Sequence, residues 1–160
     1  MRRKYLFAFF CTAAIGSFLH FAYAVCPAPV VGMFAPVSES VWEHLKLLYW
    51  PVLLAGFYLS FGKENQMCAW SGILFSMLWM PAAMLGIFYL LHSGFAVQSL
   101  TADIILYYAV LAFGFFSAYR IERAQTLTFL TGIFVILVGL LGAALIVFTL
   151  MPPSLPIFWA

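Results

Sequence analysis

Apolar residues run along this chain in five long blocks: Tyr5 to Val25, Trp42 to Phe61, Cys68 to Leu91, Ala102 to Tyr119 and Leu127 to Met151. The hydrocarbon core of a bilayer is roughly 30 Å thick, so a spanning helix needs about 20 mostly apolar residues. These blocks are far longer than barrel strands, and a helix satisfies its own backbone in lipid without closing a barrel. Between them lie short connections rich in Gly, Pro, Ser and polar residues. The pattern predicts an all-α membrane protein, one domain built as a bundle of five transmembrane helices.

Details within the blocks refine this. Pro51 and Pro81 fall inside blocks two and three, where each removes a backbone donor and is expected to bend its helix. Small residues recur at helical spacing as Ala82 and Gly86, Gly114 and Ala118, and Gly139 and Ala143. Such pairs let helix backbones approach closely in lipid, either within the chain or between copies in a homo-oligomer. The first block has a second reading. Arg2, Arg3 and Lys4 precede it and Ala22-Tyr23-Ala24 ends it, the shape of a cleavable signal peptide. Its apolar run exceeds the usual 7–15 residues of such a signal and includes His20, so a retained helix is expected.

Composition agrees with lipid as the main solvent. Only 8% of the 160 residues are Asp, Glu, Lys or Arg, against about a quarter in a soluble domain. The formal net charge of +2 comes from scattered basic residues at block ends, so nucleic acid is not an expected partner. The lipid bilayer is. Cys11, Cys26 and Cys68 show no CxxC spacing, which supports neither a disulfide framework nor a thiolate zinc site.

Basic residues also orient the bundle. Arg2, Arg3 and Lys4, then Lys63, then Arg120 and Arg123 all fall on one side of a five-span chain. The opposite connections carry none, and Lys46 alone is left over. Lys and Arg favour the cytoplasmic side, so the N-terminus is expected in the cytoplasm, the C-terminus outside and the protein in the inner (cytoplasmic) membrane.

On that topology the other ionisable groups gather in one outer layer: His20, Glu39, Glu43, His44, Lys46, His92 and Asp103. Glu64 and Glu122 lie in cytoplasmic loops beside basic residues and read as solvated charges. Leu47 to Phe61 alone would reach only about 22 Å at 1.5 Å per residue. The second helix must therefore draw in residues back to Trp42, submerging Glu43, His44 and Lys46. Such groups are tolerated when they face the bundle interior and pair. Glu43 and Lys46, three apart, make a plausible ion pair, while His44 is turned by about 100° toward a neighbouring helix. Plainer roles exist. Ser40 and Glu43 match a capping box, Glu39 can complement a helix dipole, Thr101 can cap the fourth helix above Asp103, and Lys46 can snorkel.

The run Glu39-Ser40-Val41-Trp42-Glu43-His44-Leu45-Lys46-Leu47, with Gly16 to Phe21 and Val31 to Ala35 before it, resembles an uncharacterised family of small bacterial multi-pass membrane proteins, a domain of unknown function with an E-S-V-W-E-H-L-K-L signature. The resemblance implies that His20, Glu39, Glu43, His44 and Lys46 belong to a shared motif. It implies no reaction, substrate or cofactor.

Three functions fit these residues. In the first, a metal-dependent hydrolase or lipid-modifying enzyme, zinc is held by His20, His44 and either His92 or Asp103, with Glu43, Lys46 and Glu39 as catalytic groups. Zinc takes His and carboxylate ligands and keeps a position open for water when catalytic. The second is a binding or transport protein for a small solute or ion, and the third a non-catalytic scaffold pinned by its polar cluster.

Overall fold

The apolar blocks fold as helices because no other structure pairs their backbone groups internally over such lengths. The computed structural model describes residues 2–158, and its long elements are α1 (Arg2–Val25), α3 (Val41–Ser60), α4 (Gln66–Tyr89), α5 (Leu100–Ala124) and α6 (Thr131–Leu150). A short α2 (Pro29–Phe34) lies in the first connection, where only a loop was expected. A π-helical turn, Leu90–Gly94, continues α4, and 3-10 turns at Thr128–Leu130 and Pro156–Phe158 bracket α6. Among the described residues there is no strand.

Local chemistry explains several boundaries. Ser40 caps α3 by accepting from the Glu43 amide at 3.4 Å, as the capping-box spacing anticipates. Asn65 caps α4 in the same manner through the Cys68 amide. At the start of α5 the cap position is Ser99 and Thr101 lies inside the helix, so Thr101 does not cap it. That helix also runs beyond Tyr119 to Ala124, ending where Gln125 takes a left-handed conformation at φ 55°.

Four segments are long and apolar enough to cross a membrane: Arg2–Val25, Gln66–Gly94, Leu100–Ala124 and Thr128–Leu150. The fifth long helix, α3, is not among them. It is instead central to the bundle, burying twelve of its 20 residues where α6 buries five of 20. Leu45, Leu48, Val52 and Leu59 of α3 form the core with Ile73, Met77 and Met80 of α4 and Leu111 and Phe115 of α5. A helix surrounded by protein can carry charges that a lipid-facing helix cannot, provided they are paired. The outward faces are apolar: Phe10 and Phe18 of α1, Phe113 and Phe116 of α5, and Ile133 and Ile136 of α6 are all exposed. Such a surface matches hydrocarbon better than water.

The small residues divide between two uses. Gly72 of α4 meets the Ala118 backbone of α5 so closely that a methyl group would strike the Ala118 carbonyl, and Gly114 gives the same room to Met80. Ser76 donates to the Gly114 carbonyl at 2.9 Å and lies 3.0 Å from the Ser117 hydroxyl, tying α4 to α5. By contrast Ala82, Gly86, Gly139 and Ala143 face outward.

The bundle has two chemically distinct ends. At the end holding Arg2 and the last turn of α5, Glu122 is buried at 7% exposure, paired with Lys63 and accepting from the Tyr5 hydroxyl. This corrects the expectation that Glu122 is a solvated loop charge. Its carboxylate faces the start of α1 across the bundle, where water is excluded. Glu64, by contrast, is exposed. The other end holds the three histidines.

Candidate metal centre

The Glu39–Lys46 segment crosses from loop to helix at the histidine end, and α3 periodicity sends its side chains two ways. Glu43 and Lys46 share a face turned into the protein. Lys46 is fully buried and Glu43 4% exposed. The ammonium has three donors and finds three acceptors: Glu43 Oε2 at 2.6 Å, the Gly32 carbonyl at 2.6 Å and the Ala35 carbonyl at 3.3 Å. The carboxylate is equally engaged. Its Oε2 also accepts from the Val37 amide at 2.9 Å, and its Oε1 accepts from the Thr149 hydroxyl of α6 at 2.8 Å. Lys46 therefore does not snorkel. The pair pins α2 and the loop after it against α3 and α6, and Trp50 adds a bond to the Met33 carbonyl at 3.2 Å.

That pinned loop presents Glu39 to the other face of α3. His44 Nδ1 lies 2.8 Å from the Ser40 carbonyl. A carbonyl only accepts, so Nδ1 carries a proton and Nε2 is the ring nitrogen left free to bind a metal ion. This Nε2 stands 3.4 Å from Glu39 Oε2, long for a charge-assisted hydrogen bond of about 2.7–2.9 Å. It is the separation of two ligands on a tetrahedral ion with bonds of about 2.0–2.1 Å, which is about 3.4 Å. His20 of α1 completes the group. Its ring centroid is 5.1 Å from that of His44, and its Nδ1 is buried with no hydrogen-bond partner. One ligand atom from each of His20, Glu39 and His44 lies within 4.8 Å of the other two. Glu39 is the outermost, its side chain 76% exposed.

The remaining expected ligands sit together but apart from these three. His92, in the π-helical turn, repeats the His44 arrangement: Nδ1 is 3.1 Å from the Phe88 carbonyl and Nε2 is 3.6 Å from Asp103 Oδ2. The ring stacks on Phe88 at 3.9 Å. Asp103 keeps its other oxygen, Oδ1, buried and unpartnered. The expected ligands thus split in two pairs, His20 with His44 and His92 with Asp103, and Glu39, expected as a catalytic group, joins the first pair.

Both groups border one cavity of about 550 Å³ between α1, α3, α4 and α5, lined by His20, Glu39, His44 and Asp103 at its polar end and by Leu47 and Met84 below. Glu43, Lys46 and His92 do not line it. Three residues escaped the sequence reading. Ser17 and Tyr108 meet across the cavity wall at 3.0 Å, and Tyr107 reaches the Leu47 carbonyl at 3.3 Å over Gly16, where any side chain would strike its hydroxyl. Only the glycine in α1 hinted at that close approach.

Comparison with known proteins finds no curated protein and no solved structure that matches the chain. The sequence profile of DUF6512, a family of unknown function, does match, over residues 2–160. The chain, with the buried Glu43–Lys46 pair and the histidine cluster described above, belongs to the DUF6512 family.

Proposed function

We propose that this chain is a five-span protein of the cytoplasmic membrane, N-terminus inside, that binds one zinc ion through His20, Glu39 and His44 near the outer face and hydrolyses a substrate held in the adjoining cavity. The observation that carries the proposal is the His44 tautomer: its Nδ1–H is committed to the Ser40 carbonyl, leaving Nε2 aimed at Glu39 at 3.4 Å. Backbone bonding at the second ring nitrogen is the usual way a protein orients a metal-binding imidazole. His20, whose Nδ1 is buried without a hydrogen-bond partner, supplies a second imidazole. His20, Glu39 and His44 would hold the ion, and zinc bound by three protein groups would supply an acidified water for hydrolysis. Asp103, which lines the same cavity with its Oδ1 buried and unpartnered and its Oδ2 beside His92, would be the proton acceptor there. Glu43 and Lys46 serve as positioning groups for Glu39, because every polar atom they carry already has a partner.

Conduction of a solute has less support. Ser76 and Ser117, the polar groups midway along α4 and α5, bond to each other and to helix carbonyls.

Metal analysis of tag-free protein purified in detergent tests the proposal. One zinc per chain is expected, falling to background in His44→Ala and in His20→Ala while Glu64→Ala keeps it. A wild-type protein that takes up no zinc, or a His44→Ala variant that retains it, overturns the metal site.

A further inference from the structure

The cavity beside the histidine cluster is graded from polar to apolar. Along α3 its lining runs from Val41 through His44 to Leu47, a rise of roughly 9 Å along the helix. Its ionisable head groups are His20, Glu39, His44 and Asp103, the Ser17 and Tyr108 hydroxyls bond to each other on its wall, and its floor is Gly16, Leu47, Met84 and Tyr107. Leu47 and Met84 are each 7% exposed, so an ordinary lipid packed around the bundle does not reach them.

The mouth is equally informative. Phe21, Leu100 and Ile104 line the cavity and are exposed on the apolar surface of the bundle. They belong to α1 and α5, so the cavity opens sideways between these two helices, as well as at its top beside Glu39. A solute arriving from water has no use for an apolar slot down the side. A molecule lying in the membrane with its head at the interface meets the head-side opening and the slot together. The volume, about 550 Å³, falls in the range for one drug-sized ligand, about 300–1,000 Å³, which suits one chain rather than a whole bilayer lipid.

We infer that the cavity takes a membrane-resident single-chain amphiphile, which enters between α1 and α5, lays its apolar tail against Leu47 and Met84, and brings an ester head, or the carboxylate that its hydrolysis leaves, to His20 and His44. The assignment of the head rests on the zinc reading above; that of the tail rests on the cavity alone. This makes the substrate a lipid-like molecule drawn from the bilayer.

A fatty acid carrying a diazirine in its chain, photolysed with the protein in phosphatidylcholine nanodiscs, tests this. Mass spectrometry should find adducts on Leu47 and Met84. Excess unlabelled dodecanoate should suppress them several-fold where acetate does not, and Ile104→Trp, which fills the slot from its exposed rim, should do the same. Adducts confined to outward residues such as Ile133 and Ile136, or equal suppression by acetate and dodecanoate, overturn the inference. Parallel samples with zinc and with chelator separate the two ideas. Labelling of Leu47 and Met84 without zinc uptake leaves the tail site standing and removes the metal. Zinc uptake without that labelling does the reverse.

Discussion

Each residue of the Glu39–Lys46 segment has a distinct physical task. Ser40 caps α3 with its side chain and fixes the His44 tautomer with its carbonyl. Glu43 and Lys46 form an ion pair screened from water, and breaking such a pair by removing one partner costs about 3–5 kcal/mol because the other charge is left uncompensated. Glu43→Gln and Lys46→Met should each lower stability by about that amount, while the double variant should lose less than the two combined. Unfolding in sodium dodecyl sulfate measures all three; additive losses would show that the two groups do not act as a pair. Half of this arrangement was legible beforehand. The S-x-x-E spacing announces the cap, and a separation of three on a helix announces the ion pair. The carbonyls of Gly32 and Ala35 left no trace in the sequence, since every residue has one, and Thr149 sits 106 positions from its partner Glu43. Glu122 was misread for the same reason. Its partners Lys63 and Tyr5 are 59 and 117 positions away, whereas the nearby Arg120 and Arg123 that suggested a solvated loop are exposed.

At the scale of elements, the apolar blocks foretold the long helices but not all of their ends. A block stops at its first charge, whereas a helix continues as long as its backbone bonds are made. Hence α5 carries Arg120, Glu122 and Arg123 inside its last turns. The brief α2 was invisible because six residues give no periodicity, and because it is held by tertiary bonds from Lys46 and Trp50. Spacing of small residues likewise gave candidates without saying which face each occupied. The structure separates them, and the separation is testable. Gly72→Ala puts a methyl into the Ala118 backbone, which cannot yield as a flexible side chain can, and overpacking of this kind costs about 1–3 kcal/mol. Gly86→Ala meets nothing within 4 Å and should be neutral or slightly stabilising, since alanine is the better helix former by about 1 kcal/mol. Thermal unfolding of the two variants should therefore move in different directions. Equal losses would mean that the outward Gly86 face is itself packed, as it would be against a second copy of the chain.

For the whole molecule, the question is whether α3 crosses the membrane beside the four more apolar helices. We propose that it does, on the strength of what surrounds it. Glu43 near its start bonds to Thr149 near the end of α6, and His44 faces His20 near the end of α1. Just past its other end, Lys63 pairs with Glu122 near the end of α5 and stands 5.5 Å over the Tyr5 ring near the start of α1. In the five-span reading proposed above, a helix joined at both ends to the ends of its neighbours would traverse the same thickness they do. Glu43 and Lys46 are buried against its neighbours, while Leu54, Phe57 and Tyr58 give it an apolar outer face. With α3 crossing, every Lys and Arg except the buried Lys46 lies at one end of the bundle, the arrangement that favours a cytoplasmic location for that end. Cysteine accessibility decides the matter. Cys26, exposed just beyond α1, should react in intact cells with a maleimide that cannot cross membranes. A cysteine at the exposed Glu64 position, introduced as Glu64→Cys with Cys26 removed, should react only after the cells are opened. Labelling of both sites from outside would mean that α3 does not cross. The reverse pattern, with Glu64→Cys labelled first, would invert the bundle and place the histidine cluster at the cytoplasmic face.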